Sequence, residues 1–201
     1  TYETNKINLL SNPTSLYTKQ PTVYYGLMYL AKNAKKEVKI HTPYIICNDY
    51  MYNELKNIKV PTTIMTNSAE NNGNIFGAVD YLNHKKDIIN TGVTIKEYEG
   101  GISYHGKSMT IDDDIAIVGS FNMDMRSAYI DTELMLVINS KYINKQLKAS
   151  MEEYEKKAAT VKNETEYSHI PEGMKMKELS DKKKNIKAWF GWAMNGLRFL
   201  F

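Results

Sequence analysis

Four side chains in the middle of the 201-residue chain could together act on a phosphate group. His105 and Lys107 are two residues apart, so on a strand they would point to the same face. A turn beyond this strand would bring Ser120 and Asn122 back near the level of the histidine. Lys107 and Asn122 could then bind non-bridging phosphate oxygens, while His105 attacks phosphorus or protonates a leaving oxygen.

Acidic residues flank this set and admit different roles. Glu133 lies on the next predicted strand and could hold the other imidazole nitrogen of His105, which would fix its tautomer. The three aspartates at 112–114 could bind a metal near the histidine, or they could form a tight turn. We favour the turn, because attack of histidine on phosphorus needs no metal. The sequence therefore predicts neither a metal nor a cofactor.

A lone H-x-K pair is usually a pair of surface residues, so the prediction depends on the spacing of the whole set. The pattern H-x-K-x4-D over residues 105–112, followed by G-S-x-N over 119–122, resembles the HKD motif of the phospholipase D superfamily. The N-x-D-x-R-S run at 122–127 and the T-P-Y segment at 42–44 are similar to bacterial cardiolipin synthases and related phospholipase D-like proteins. The resemblance covers about residues 5–157.

The resemblance assigns roles to the residues of the motif. It implies a phosphate site lined by four residues: His105, Lys107, Ser120 and Asn122. Asp112, which belongs to the catalytic motif, would organise the structure more than it takes part in the chemistry. Glu133 falls where the superfamily places the acid that orients the histidine.

Enzymes of this superfamily use two facing HKD motifs, and this chain carries one. One histidine forms a phosphohistidine and the other serves as acid and then base. The chain also opens on Thr1 without an initiator Met, as expected of a piece of a longer protein. The missing half is expected upstream in the same protein, or in a second copy of the chain in a symmetric dimer. By family analogy the upstream histidine is the nucleophile and His105 is the acid and base.

Hydrophobic periodicity predicts helices alternating with strands. Helices are expected over residues 21–36, 48–58, 75–89 and 142–157, the second capped by Asn48. Strands are expected over residues 37–42, 60–66, 93–98, 104–111, 115–119 and 133–138. This alternation implies an α/β fold, and the resemblance implies a phospholipase D-type mixed β-sheet flanked by helices on both faces.

Composition excludes several classes of protein. The single cysteine, Cys47, permits no internal disulfide and rules out a Cys-rich zinc module, and no apolar run reaches the ~18 residues of a membrane span. The net charge is +3, but the first 140 residues carry −2 and the last 61 carry +5. A catalytic region of negative charge argues against a polyanionic nucleic acid as the partner.

The expected organisation is a phospholipase D-like domain (residues 1–158), a polar linker (159–180) and an amphipathic C-terminal helix (181–201). Apolar residues from Ile186 to Leu200 recur at helical spacing, and Lys182, Lys183 and Lys184 precede them. Such a helix could dock on the domain or lie on an anionic membrane surface. The second alternative would place the protein peripherally on the cytoplasmic side of the cell membrane.

The function predicted from these observations is phosphodiester transfer on phospholipids through a phosphohistidine, as in cardiolipin synthase or phospholipase D. The reaction would join two phosphatidylglycerols and release glycerol. Two alternatives remain open at this point: an HKD-type nuclease acting on DNA or RNA, and an inactive half that only binds or regulates.

Overall fold

A computed structural model of the chain describes residues 6–14, 20–193 and 198–200. Its strands are β1 (Lys6–Ser11), β2 (Val38–His41), β3 (Ile45–Ile46), β4 (Thr62–Asn67), β5 (Thr94–Tyr98), β6 (Ser108–Ile111), β7 (Ile115–Gly119), β8 (Met123–Asp124), β9 (Leu134–Asn139), β10 (Ala158–Val161) and β11 (Tyr167–His169). Its helices are α1 (Thr22–Lys32), α2 (Asp49–Lys56), α3 (Ile75–Ile89), α4 (Met125–Tyr129), α5 (Lys141–Glu155) and α6 (Asp181–Ala193), followed by a 3-10 turn (Arg198–Leu200).

In the described part of the chain, nine strands form one mixed sheet in the order β1-β9-β7-β6-β2-β4-β5-β10-β11. The neighbours β2, β4 and β5 run parallel, and the other pairs are antiparallel. Strands β3 and β8 pair separately and in parallel. The expected α/β fold with a mixed sheet is confirmed.

Helices cover both faces of this sheet. The side chains of each strand point alternately to one face and to the other. On one face, Val38 and Ile40 of β2 belong to the main hydrophobic core with residues of α1, α2 and α3. On the other face, Lys39 and His41 of the same strand contact Glu152 or Glu155 of α5. The predicted helices match α1, α2, α3 and α5, and the Asn48 side chain caps α2 by accepting from the Met51 N–H.

One predicted strand is shorter than expected, and this matters for the site. Of residues 104–111, only Ser108–Ile111 form β6, so His105 and Lys107 lie in the histidine loop (residues 99–107). The pairing with β2 ends at His41 opposite Ser108, just before Pro43, which has no N–H for a ladder. The last bond on the β6 side runs from the Gly119 N–H to the Lys107 carbonyl oxygen at 3.3 Å, and the Ser120 N–H donates to the Leu134 carbonyl oxygen of β9. The pairing of β6 with its two neighbours therefore ends at the histidine loop.

The segment after α5 also differs from the sequence-based expectation. Strands β10 and β11 extend the sheet beyond β5, so part of the expected polar linker is edge structure. The C-terminal segment packs on the domain. Lys183 of α6 is buried against the loop between β4 and α3, and Arg198 pairs with Asp80 of α3. Within the described ranges, no helix has the length and apolar character needed to cross a membrane.

Candidate functional site

His105 and Lys107 contact each other at the mouth of a cleft beside β6. The Lys107 Nζ lies 3.0 Å from His105 Nδ1 and 3.4 Å from its Nε2, and it donates to the His105 carbonyl oxygen at 2.8 Å. Partial burial and the positive charge of Lys107 both lower the pKa of His105, which favours a neutral imidazole. Burial also lowers the pKa of Lys107, against the pull of Glu133 and Asp124. The predicted pair is thus brought together in a loop and not on a strand.

Glu133 is buried and holds two serine hydroxyls. Ser120 Oγ donates to its Oε2, and Ser127 Oγ donates to its Oε1 at 2.8 Å. The Ser120 hydroxyl also accepts from the Leu134 N–H at 3.0 Å. In the described residues, no hydrogen bond links Glu133 to His105, and each carboxylate oxygen accepts from a serine hydroxyl. The structure places a lysine against the imidazole, where the sequence led us to expect this acid.

Asn122 is half-buried and has one polar atom unsatisfied. Its backbone N–H donates to Ser127 Oγ at 3.2 Å, and its Nδ2 lies 3.4 Å from the Tyr44 hydroxyl. Its Oδ1 is buried and has no hydrogen-bond partner in the described part of the chain. Ser127 and Tyr44 were not predicted as site residues, although both belong to the runs that carry the resemblance, at 122–127 and 42–44.

Gly119 allows these elements to approach closely. A Cβ at this position would lie 2.1 Å from the Leu134 carbonyl oxygen and 2.9 Å from the Met135 Cα, both backbone atoms. Only glycine fits here. The glycine of the G-S-x-N pattern therefore lets β7 pass β9 so that Ser120 reaches Glu133.

Asp112 lies at the other end of β6, away from the histidine loop. Its carboxylate accepts hydrogen bonds from the backbone N–H groups of Lys35, Lys36 and Glu37 at 2.7–3.2 Å. Its backbone has a φ of +52°, a left-handed conformation that aspartate tolerates better than most residues. The structure does not bring Asp112 together with the other predicted site residues.

Asp124 connects the site to α4. It is buried, caps that helix by accepting from the Ser127 N–H at 2.5 Å, and interacts electrostatically with Lys107. Burial raises the pKa of Asp124 to about 6. The aspartate of the N-x-D-x-R-S run thus positions Ser127, which in turn contacts both Asn122 and Glu133.

His105 lines two cavities of the cleft, whose walls differ in residue type. One is a cavity of about 560 Å³ with an aromatic and apolar wall: Tyr98, Ile102, Tyr104, Val118, Leu147, Met151 and Tyr154. The other is a cavity of about 350 Å³ with polar side chains: Tyr44, Asn72, Asn74 and Ser103. Lys107 is the one lysine among the described residues that line the two cavities.

A buried network supports the aromatic wall. His41 lies between Glu155, 3.2 Å from its Nε2, and the Tyr104 hydroxyl, 3.3 Å from its Nδ1. Burial lowers the pKa of His41, while Glu155, which also pairs with Lys96, has its pKa lowered to about 2. His41 is therefore buried behind Tyr104, which lines the cleft. Among the described residues, no cluster of histidine, cysteine and acidic side chains could hold a metal ion.

Comparisons with known proteins point to one family. Residues 27–154 match the family described as "Cardiolipin synthase, PLD-like domain". Cardiolipin synthase 1 of Staphylococcus epidermidis is 30% identical over 159 residues, which are 78% of this chain and 32% of that protein. A cardiolipin synthase of Staphylococcus aureus is 31% identical over 129 residues, 63% of this chain and 26% of that protein. The chain thus spans about a third or less of these relatives.

Two solved structures share the fold. The phosphatidylserine synthase of Haemophilus influenzae superposes with a TM-score of 0.70 at 15% identity, over 97% of this chain and 48% of that chain. Nuc, a phospholipase D family member from Salmonella typhimurium, superposes with a TM-score of 0.61 at 16% identity, over 78% of this chain and 97% of that chain.

Proposed function

Because the chain belongs to the family of cardiolipin synthase, PLD-like domains, we propose that it is one half of an enzyme that transfers phosphatidyl groups between phospholipids. The reaction class is phosphodiester exchange through a phosphohistidine. The acceptor is a second phosphatidylglycerol, and glycerol is released.

The observation that carries this proposal is the position of His105, which lines both cavities, with Lys107 beside it on the larger one. A phospholipid has acyl chains on one side of its phosphate and a polyol headgroup on the other. The aromatic and apolar cavity suits the lipid chains, and the uncharged hydroxyl and carboxamide groups of the polar cavity suit glycerol. A nucleic acid would need several cations along its backbone, whereas Lys107 is the one lysine among the described lining residues.

In the first chemical step, a histidine nitrogen of the partner half bonds to phosphorus and the bond to the leaving glycerol oxygen breaks. His105, protonated, gives its proton to that oxygen, while Lys107 and Asn122 bind the non-bridging oxygens. The negative charge of the bound phosphodiester raises the pKa of His105 and so favours its protonated form.

In the second step, the acceptor hydroxyl bonds to phosphorus and its proton passes to the now neutral His105. The nitrogen–phosphorus bond breaks, which frees the partner histidine. Covalent labelling of His105 in the full-length protein would reverse the two histidine roles.

The partner half needs a surface to dock on, and an apolar face beside the cleft suits it. The register of β1, β9 and β7 places Ile7, Leu9, Val118 and Leu134 on one face of the sheet, each 37–62% exposed. Val118 also lines the cleft. We propose that the second HKD half, upstream in the same protein or in a second copy, covers this face. The assembly would act at the cytoplasmic side of the cell membrane.

The test compares the full-length protein with His105→Ala in an assay for cardiolipin formation from phosphatidylglycerol. The variant should lose activity by at least about a thousandfold, because proton transfer is lost. His169→Ala, which changes an exposed histidine of β11, is the matched control and should retain it. Activity on DNA in place of phosphatidylglycerol would contradict the proposal.

A second test uses the chain alone. Without a facing histidine, the chain should turn over neither phosphatidylglycerol nor a generic phosphodiester above the His105→Ala background. Robust turnover by a proven monomer would contradict the proposal that the chain holds only one half of the active site.

A further inference from the structure

Lys183 of α6 is buried and its ammonium group is held by three backbone carbonyls. It donates to Ala69, Glu70 and Asn72 at 2.8, 2.5 and 3.0 Å, and the residue is 8% exposed. A lysine ammonium has three donors, so this geometry satisfies all of them. The three acceptors belong to one short segment, the β4–α3 loop (residues 68–74). The C-terminal helix is thereby attached to that loop.

The β4–α3 loop in turn contacts the histidine loop. Asn71 Nδ2 donates to the Ile102 carbonyl at 3.1 Å, and the Gly73 N–H donates to Ser103 Oγ at 3.0 Å. Asn71 also donates to Asn67 Oδ1 at 3.0 Å, at the end of β4. Side-chain and backbone donors of one loop therefore meet consecutive residues of the other.

Asn67 completes this contact at the residue before the histidine. Its Oδ1 accepts from the Tyr104 N–H at 2.7 Å, and its Nδ2 donates to the Tyr104 carbonyl at 2.9 Å. One carboxamide thus satisfies both backbone groups of Tyr104, as a neighbouring strand would. The histidine loop forms no strand pairing at Tyr104, so these two hydrogen bonds fix the position of the backbone from which His105 follows.

We propose that Lys183 is a positioning residue for His105, acting through the β4–α3 loop and the Asn67 clamp on Tyr104. The C-terminal helix would then support the histidine loop as well as packing on α3. The catalytic consequence rests on the proposed function, but the structural coupling does not.

Arg198 provides a matched comparison, because it attaches the same C-terminal segment at a different place. Its guanidinium pairs with Asp80 of α3 at 2.6 Å and donates to the Cys47 carbonyl at 2.8 Å. None of these acceptors lies in the β4–α3 loop or the histidine loop. Removing either cation loosens the segment, but only Lys183 should affect His105.

The experiment measures backbone hydrogen exchange and the imidazole NMR signal of His105 in the full chain. Lys183→Met should speed exchange of the Tyr104 N–H by at least about tenfold and shift or broaden the His105 signal. The N–H groups of β2 and β4 should exchange as before. Arg198→Met, and Lys184→Met at an exposed neighbour, should leave both readouts of the histidine loop unchanged.

Equal changes with Arg198→Met and Lys183→Met would overturn the proposal, as would an unchanged Tyr104 N–H in Lys183→Met. Should Lys183→Met fail to fold, Asn71→Ala combined with Ser103→Ala breaks the contact between the loops without touching α6. That variant should show the same faster exchange, and its absence would count against the coupling. Neither readout requires turnover, so an inactive enzyme with intact coupling would refute the proposed function alone.

Discussion

The ammonium group of Lys107 lies against the imidazole of His105, 3.0 Å from Nδ1, and is fixed by the carbonyl oxygen of the same histidine at 2.8 Å. Partial burial and a cation at this distance both lower the pKa of His105, which favours a neutral imidazole that can act as a base. A phosphate placed between them would bind the cation and favour protonation of the histidine. The pair is therefore poised to change protonation state when an anion arrives.

We expect inorganic phosphate to bind at this pair and to lose affinity when Lys107 becomes methionine. A charge-assisted hydrogen bond contributes about 1.5–3 kcal/mol, so Lys107→Met should weaken binding by at least about tenfold. Titration followed by the His105 NMR signal measures this. Lys36→Met removes a surface lysine that pairs with Asp113 beyond the far end of β6 and serves as the control. Equal affinity in Lys107→Met and the wild type would show that the anion binds elsewhere.

Asp112 should contribute to stability and not to anion binding. Asp112→Ala removes the acceptor of three backbone N–H groups and leaves alanine at a φ of +52°, so it should destabilise the fold by about 2–4 kcal/mol. Denaturant unfolding measures the loss, and Asp112→Asn, which keeps one oxygen acceptor, should lose less. A folded Asp112→Ala protein that no longer bound phosphate would place this residue in the site after all.

Local sequence patterns predicted most of the fold, because these patterns and the tertiary structure favour the same helices and strands. Strand β4 was predicted from β-branched residues around Ile64, and helix α3 from apolar residues at helical spacing. Both signals come from residues close in sequence, and both elements lie within a few residues of their predicted limits. Strands β1, β10 and β11 were missed. Strands β1 and β10 pair with partners about 60 to 130 residues away in β9 and β5, and β11 is a three-residue edge strand that pairs with β10.

The candidate site was predictable in its composition but not in its contacts. Spacing predicted that His105, Lys107, Ser120 and Asn122 lie in one region. In the structure the first two contact each other in a loop, while Ser120 contacts Glu133 and Asn122 contacts Ser127. The partners of Glu133 were not predictable, because the choice between an imidazole and two hydroxyls is made by how β7 and α4 pack. The Asn67 clamp was missed for the same reason, since an isolated asparagine at a strand end carries no local signal.

The buried carboxylate of Asp124 should make stability depend on pH. Burial raises its pKa to about 6 from an ordinary value of 3.8, so the folded state takes up a proton between these values. Its contribution to stability is therefore full below pH 3.8 and is lost as the pH rises through 6. Asp124→Asn keeps the helix cap and cannot ionise. Its unfolding free energy should match the wild type near pH 4 and exceed it above pH 6, by up to about 3 kcal/mol.

Denaturant unfolding of both proteins at several pH values measures this difference. Asp131→Asn, which changes a carboxylate on the surface beside Arg126, is the control and should show no comparable gain. A constant difference between Asp124→Asn and wild type across the range would mean that Asp124 stays ionised in the folded protein.

We expect the C-terminal helix to bind an anionic membrane while it stays packed on the domain. The binding would use the lysines that remain exposed. Lys183 is buried and unavailable, whereas Lys182, Lys184 and Lys187 are exposed on α6. Each cation near an anionic leaflet contributes about 1 kcal/mol, so changing these three to glutamine should weaken binding to phosphatidylglycerol vesicles by at least about tenfold. Added salt should weaken wild-type binding in the same way, because it screens the attraction. Co-sedimentation measures both effects.

The control changes three exposed lysines near α5 to glutamine: Lys141, Lys145 and Lys157. It removes the same charge from the domain, so a loss confined to the α6 variant shows that position matters and not net charge alone. Equal losses would indicate diffuse attraction of a basic protein to an anionic surface. Binding that survives all six changes would assign the attachment to apolar contacts and leave the α6 lysines without a role at the membrane.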